Sequence, residues 1–140
     1  MKTLKLGLVA IALLFVSVGA NAVEKAKGAK MTKDAVVNTY IDAISTGNTK
    51  ALSKILDDDM QFNMQRGNNV NTISKETLLE NMGKVTAVAP IKTSTSVIQG
   101  DDNTEKVQIT FNYDGYARTD VVTLNHTNDW SISSVTSSYN

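Results

Sequence analysis

The chain has 140 residues, 14 basic and 14 acidic side chains, one histidine and no cysteine. That length suits one domain with an ordinary core, burying about two-thirds of the unfolded surface. The balanced charge offers no basic excess to attract nucleic acid or an anionic membrane, and the lack of cysteine removes disulfide staples, thiol nucleophiles and cysteine-based metal sites.

The first 22 residues carry the pattern of a cleavable export signal. Lys2 and Lys5 form a basic start, Leu6 to Val18 an apolar block, and Ala20-Asn21-Ala22 an A-x-A cleavage site. The apolar block falls well short of the roughly 20 residues a spanning helix requires, and no cysteine follows the cut to carry a lipid. The expected mature chain starts at Val23, has 12 basic and 14 acidic residues, and lies unanchored in the periplasm or outside the cell. Val23 to Met31 is short, basic and interrupted by Gly28, and reads as a flexible spacer before a domain over 32–140.

Three helices are expected first. Thr32 caps a helix whose apolar positions Val36, Val37, Tyr40, Ile41 and Ile44 share one side, and Gly47 stops it. A short second helix begins near Asn48 or Thr49, carries Leu52, Ile55 and Leu56, and ends by Asp57-Asp58-Asp59, where three carboxylates oppose the helix dipole. The third starts after Ser74, has Glu76 in its first turn and Leu78, Leu79, Met82 and Val85 on one face, and is bounded by Pro90.

Strands are expected over 60–64, 93–99, 106–113, 117–125 and 130–139, each alternating with period two. Residues 100–104 form a hairpin loop, Asp114-Gly115 a two-residue hairpin turn, and Asn128-Asp129 a further turn. Helices followed by a long antiparallel meander make an α+β arrangement, with helices covering one face of a curved sheet.

Taken together, the pieces from Val36-Val37 and Tyr40 to Ile44, through Ser45 to Asn48, Leu52, Phe62 and Lys75 to Leu79, to Asp120 to Leu124 and Trp130-Ser131-Ile132 resemble the nuclear transport factor 2-like superfamily. The likeness runs from about Thr32 to Tyr139 and includes the SnoaL-like and lumazine-binding type of exported bacterial protein. It implies a cone-shaped half-barrel, a cystatin-like α+β cone in which a strongly bent antiparallel sheet wraps three N-terminal helices and opens at one end into a ligand-binding pocket. It also implies a homodimer formed through the outer sheet face. Chemistry does not follow from such a fold.

Catalytic members of the superfamily need an acid–base pair inside the pocket, which His126 cannot supply from its polar strand end; it reads as a surface histidine. Arg118 and Asp120 are more informative. A two-residue turn at Asp114-Gly115 sets Phe111 opposite Arg118 and Ile109 opposite Asp120, among Val107, Val122 and Leu124. Such a pair either orients an anionic or hydrogen-bonding ligand or is a satisfied structural ion pair, the commoner arrangement.

The large residues Tyr40, Phe62, Met64, Tyr113, Tyr116 and Trp130 are candidates to reach the cavity or to fill the core, with Tyr40 singled out because a buried hydroxyl needs a partner. Asp57-Asp58-Asp59 lacks the alternate ligand spacing of a calcium loop and reads as a solvated loop, so no metal site is expected. Asn125-His126-Thr127 is formally a glycosylation acceptor with nothing further to support its use.

The expectation is therefore an exported, non-catalytic pocket protein that binds a small, partly apolar ligand, acts as a homodimeric interaction module, or both. The expected ligand contacts are Tyr40, Phe62, Met64, Phe111, Tyr113, Arg118, Asp120 and Trp130, with no cofactor. The alternative is a small isomerase or dehydratase using Asp120 and Tyr40 for proton transfer while Arg118 holds the substrate. The lack of an internal His–Asp pair favours binding.

Overall fold

Local signals along the chain set where each element starts and stops. A computed structural model describes residues 31–140; the expected leader and all of the expected spacer but Met31 lie outside the described residues. Thr32 accepts a hydrogen bond from the Ala35 amide and opens α1 (Lys33–Thr46). Gly47 closes it at φ 78°, a left-handed conformation that glycine adopts without a Cβ penalty. Asn48 caps α2 (Thr49–Ile55) through its side chain, and Ser74 caps α3 (Lys75–Gly83). Met31 is tied down, its amide donating to Asp129 Oδ1 at 2.8 Å and its side chain packing against the core.

Six strands follow or intervene: β1 (Leu56–Arg66), β2 (Asn69–Ser74), β3 (Lys92–Gly100), β4 (Thr104–Tyr113), β5 (Tyr116–His126) and β6 (Trp130–Tyr139). They form one open sheet in the order β2-β1-β6-β5-β4-β3. β3 to β6 make the expected meander. Register shifts between Leu56 and Gln61, between Val97 and Gln99, and between Thr123 and Leu124 interrupt the ladders, and such irregularities bend and twist a sheet.

The three helices cover its inner face, with α1 against β6, α3 against β1 and β2, and α2 between the other two helices. Val36, Tyr40, Leu52, Ile109, Phe111, Val122, Leu124, Ile132 and Val135 fill the space between. This is the α+β cone that the order of elements implies. Among the described residues, no helix is long and apolar enough to cross a membrane.

Four details differ from the sequence reading. The sheet is mixed, because β1 pairs in parallel with β6 while every other pair is antiparallel. The chain leaves α2 at Ile55 and enters the sheet directly beside its last strand. Asp57 to Asp59 belong to β1 and are not a loop, and Leu56 begins that strand and is not helical. The Asp57 carboxylate accepts the Ser131 hydroxyl, while Asp58 and Asp59 point to solvent. The edge strand β2, joined to β1 by a tight turn at Gly67 (φ 62°), was not anticipated. Finally, α3 ends at Gly83, which leaves Val85 outside the helix and 68% exposed.

Candidate functional site

The turn at Asp114-Gly115 decides which side chains meet inside the cone. Gly115 takes φ 93°, a value open to glycine, so the turn holds only two residues and pairs Tyr113 with Tyr116. Counting back in twos sets Phe111 opposite Arg118 and Ile109 opposite Asp120, as expected. Arg118, Asp120, Val122 and Leu124 therefore share the inner face of β5. On the other side, Asp120 pairs with Ser137 of β6, which is itself buried.

Asp120 has no exposed surface, and all its charge is answered by neighbours. Arg118 grips it side-on, Nε donating to Oδ1 at 2.9 Å and Nη2 to Oδ2 at 2.8 Å. The Tyr40 hydroxyl donates to Oδ2 at 2.5 Å from α1, 80 residues away in sequence. The Arg118 side chain is 15% exposed, with its Cζ 6.0 Å from the centre of the Phe62 ring and 5.7 Å from that of Phe111. The group is thus held at one edge by a carboxylate and flanked by two aromatic rings.

These contacts shift the titration of both partners. Burial, reinforced by the negative charge of Asp120, pushes the Tyr40 phenol well above its ordinary value, so it stays a proton donor. Burial works against the charged form of Arg118, but the Asp120 carboxylate it grips outweighs that effect and holds it charged.

Arg118 also forms part of the wall of a cavity of about 310 Å³. Its walls include Phe62 and Met64 of β1, Leu78 and Met82 of α3, and residues 85–88, which follow that helix. Tyr113 and Tyr116 stack with ring centres 4.8 Å apart at the hairpin end, and Tyr116 lies 6.1 Å from Tyr139. Burial raises the Tyr113 phenol above its ordinary value. A shallower groove borders the first at Gln65, Arg66 and Tyr139.

Of the residues expected to contact a ligand, Phe62, Met64, Tyr113 and Arg118 line this cavity. Tyr40, Phe111 and Asp120 do not line it and are fully buried. Trp130 lies elsewhere, stacked on His126 with ring centres 4.9 Å apart and beneath the ammonium of Lys33. Sequence reasoning missed Arg66 and Tyr139, although the period-two count carries them: Arg66 shares a face with Phe62 and Met64, and Tyr139 with Ser137. Nothing periodic marks residues 85–88. Among the described residues, no group of three or more acidic or histidine side chains is placed to hold a metal ion.

The network makes two predictions. Tyr40→Phe leaves a buried, charged acceptor without its partner and should cost ~1.5–3 kcal/mol at neutral pH; Asp120→Ala, which strands a buried guanidinium, should cost roughly 3–5 kcal/mol. Because the folded Tyr40 keeps its proton above the ordinary tyrosine value of about 10, the unfolded chain loses a proton there that the folded chain retains. Stability must then fall as pH rises past that value. Denaturant unfolding across that range should show a steeper loss for the wild type than for Tyr40→Phe, and parallel curves would contradict the assignment.

No curated protein matches the chain by sequence comparison. Solved structures share its fold at low identity. An NTF2-like protein of unknown function from Shewanella baltica superposes with a TM-score of 0.63 at 12% identity, covering 75% of this chain and 88% of the other. An NTF2-like protein of unknown function in nutrient uptake from Rhodospirillum rubrum gives 0.60 at 20% identity, with 74% and 93% covered. A protein described as a "putative ketosteroid isomerase" from Parabacteroides distasonis gives 0.57 at 11%, with 79% and 95% covered. These likenesses establish the fold alone. The family described as "Putative lumazine-binding" matches residues 29–139, nearly all of the described chain. The chain belongs to that family, and its fold is the one shared by these NTF2-like proteins.

Proposed function

We propose that the protein is an exported small-molecule binder whose ligand sits in the cone, above the clamped guanidinium of Arg118. The observation that supports this most is the cavity itself. At about 310 Å³ it falls at the small end of ligand clefts, ~300–1,000 Å³. It combines apolar and aromatic walls with one fixed polar donor, the usual composition of a binding site. The family description, which names lumazine binding, agrees with a planar, partly apolar occupant.

The positions of Tyr40 and Asp120 weigh against the isomerase or dehydratase alternative. A general acid or base must come within hydrogen-bond reach of its substrate. Neither residue lines the cavity, and each Asp120 oxygen already accepts a hydrogen bond. In this reading they are structural, and they hold Arg118 in place.

Ligand binding is tested by thermal unfolding across a panel of small planar and amphipathic molecules that includes lumazine. A true ligand at 100 times its Kd adds about 2.7 kcal/mol, a shift of several degrees for a domain this size. Met82→Trp, which fills the cavity, should abolish the shift. A panel without any saturable shift would contradict the reading. Export rests on the pattern of residues 1–22; protein recovered outside the cytoplasm should begin at Val23, and an intact Met1 would overturn it.

A second reading, association of two copies through the outer sheet face, has its own support. The outward side chains of β1, β6, β5 and β4 include Asn63, Thr136, Val121 and Gln108 in one cross-strand row, and Gln65, Ser138, Thr119 and Thr110 in the next. None of these eight is charged, so two such faces can meet without burying unpaired ions. Val121→Arg, at the centre, should convert a sedimenting dimer to a monomer and leave ligand binding intact. A monomeric wild type would refute this reading.

A further inference from the structure

The charges around the cavity limit what it can hold. Among the described residues only two charged side chains line it, Arg66 and Arg118, and no acid does. Asp120, directly behind, balances one of them. With nothing bound, the site therefore has one surplus positive charge, and a single negative charge on a ligand would balance it.

The donors of Arg118 define the shape of that negative group. A guanidinium has five N–H donors in a planar fork. Asp120 takes the Nε–H and one Nη2–H. Among the described residues no acceptor takes the other three, which include the end-on pair formed by one N–H from each Nη. Asp120 is absent from the cavity wall while Arg118 forms part of it, and the edge not held by Asp120 is taken as the one a ligand meets. Phe62 and Phe111 flank the group. Such donors suit an acceptor that approaches in the guanidinium plane with two oxygens, as a carboxylate or phosphate does, and the single surplus charge favours the carboxylate.

Arg66 and the tyrosines complete the description. Its Cζ lies 5.9 Å from the centre of the Tyr139 ring, and Tyr139 is the β6 partner of Arg118, so one aromatic ring lies between the two cations. Tyr113, Tyr116 and Tyr139 form a continuous aromatic wall, faced by Leu78 and Met82.

On the basis of the binding function proposed above, we infer that the ligand class is monocarboxylic acids with a compact aromatic or apolar body. The carboxylate bridges the open edge of Arg118, with Arg66 at the rim supplying the balancing charge, and the body lies against the tyrosines.

Calorimetry with matched probes tests this on the purified protein: 3-phenylpropionate and its neutral isostere 3-phenylpropanamide, at neutral pH. The acid should bind at least about tenfold tighter than the amide, as a charge-assisted bidentate contact requires. Arg118→Lys keeps a cation beside Asp120 but removes the fork, and should reduce the acid's advantage to the several-fold that Arg66 supplies. Should that variant fail to fold, Arg66→Gln, at an exposed position, serves instead: it should weaken the acid several-fold and leave the amide unchanged. Equal binding of both probes would overturn the carboxylate assignment and leave the pocket reading standing, as would binding of neutral panel molecules alone. If neither these probes nor any panel molecule bound, both readings would fall together.

Discussion

A carboxylate with no exposed surface requires partners for its charge, and in this chain that requirement organises the interior. Asp120 stands on the inner face of β5 because a two-residue turn fixes the count of the hairpin. An unpaired ion there would be prohibitive in so apolar a setting. Arg118 answers it from the same strand and Tyr40 from α1, so one network joins the sheet to the helix layer. Because Arg118 is two residues nearer the turn, it lies between this buried pair and the open end of the cone. The arrangement yields a cation whose position does not depend on a ligand being present, and such preorganisation lowers the cost of binding.

The same network sorts the aromatic residues into two kinds. Phe62 and Phe111 lie close to the guanidinium, with ring centres 6.0 and 5.7 Å from its Cζ. Tyr113, Tyr116 and Tyr139 form a wall near the mouth, where their rings remain available.

Much of this was legible beforehand because it follows from short-range rules. Thr32, Asn48 and Ser74 cap helices where their side chains reach the first free amides, and Gly47 and Gly115 adopt positive φ where the chain must turn. The partnership of Arg118 and Asp120 came from parity alone. What escaped reading had no periodic signal or carried a misleading one. The β2 segment has one apolar residue on each face, Val70 and Ile73, and so shows no alternation, and Asp57 to Asp59 disguise a strand, since aspartate disfavours β structure. Depth along the cone is a tertiary property: nothing in the spacing says that Tyr40 and Phe111 stop short of the cavity while Arg66 and Tyr139 border it.

The central claim is that Tyr40 and Asp120 immobilise the Arg118 guanidinium, and nitrogen-detected NMR of arginine side chains tests it most directly. In the free protein, Arg118 should show separate Nη resonances from slow rotation about its Cζ–Nη bonds, and these should merge in Tyr40→Phe if that variant folds. A single averaged signal in the wild type, like that of a solvent-exposed arginine, would contradict the account.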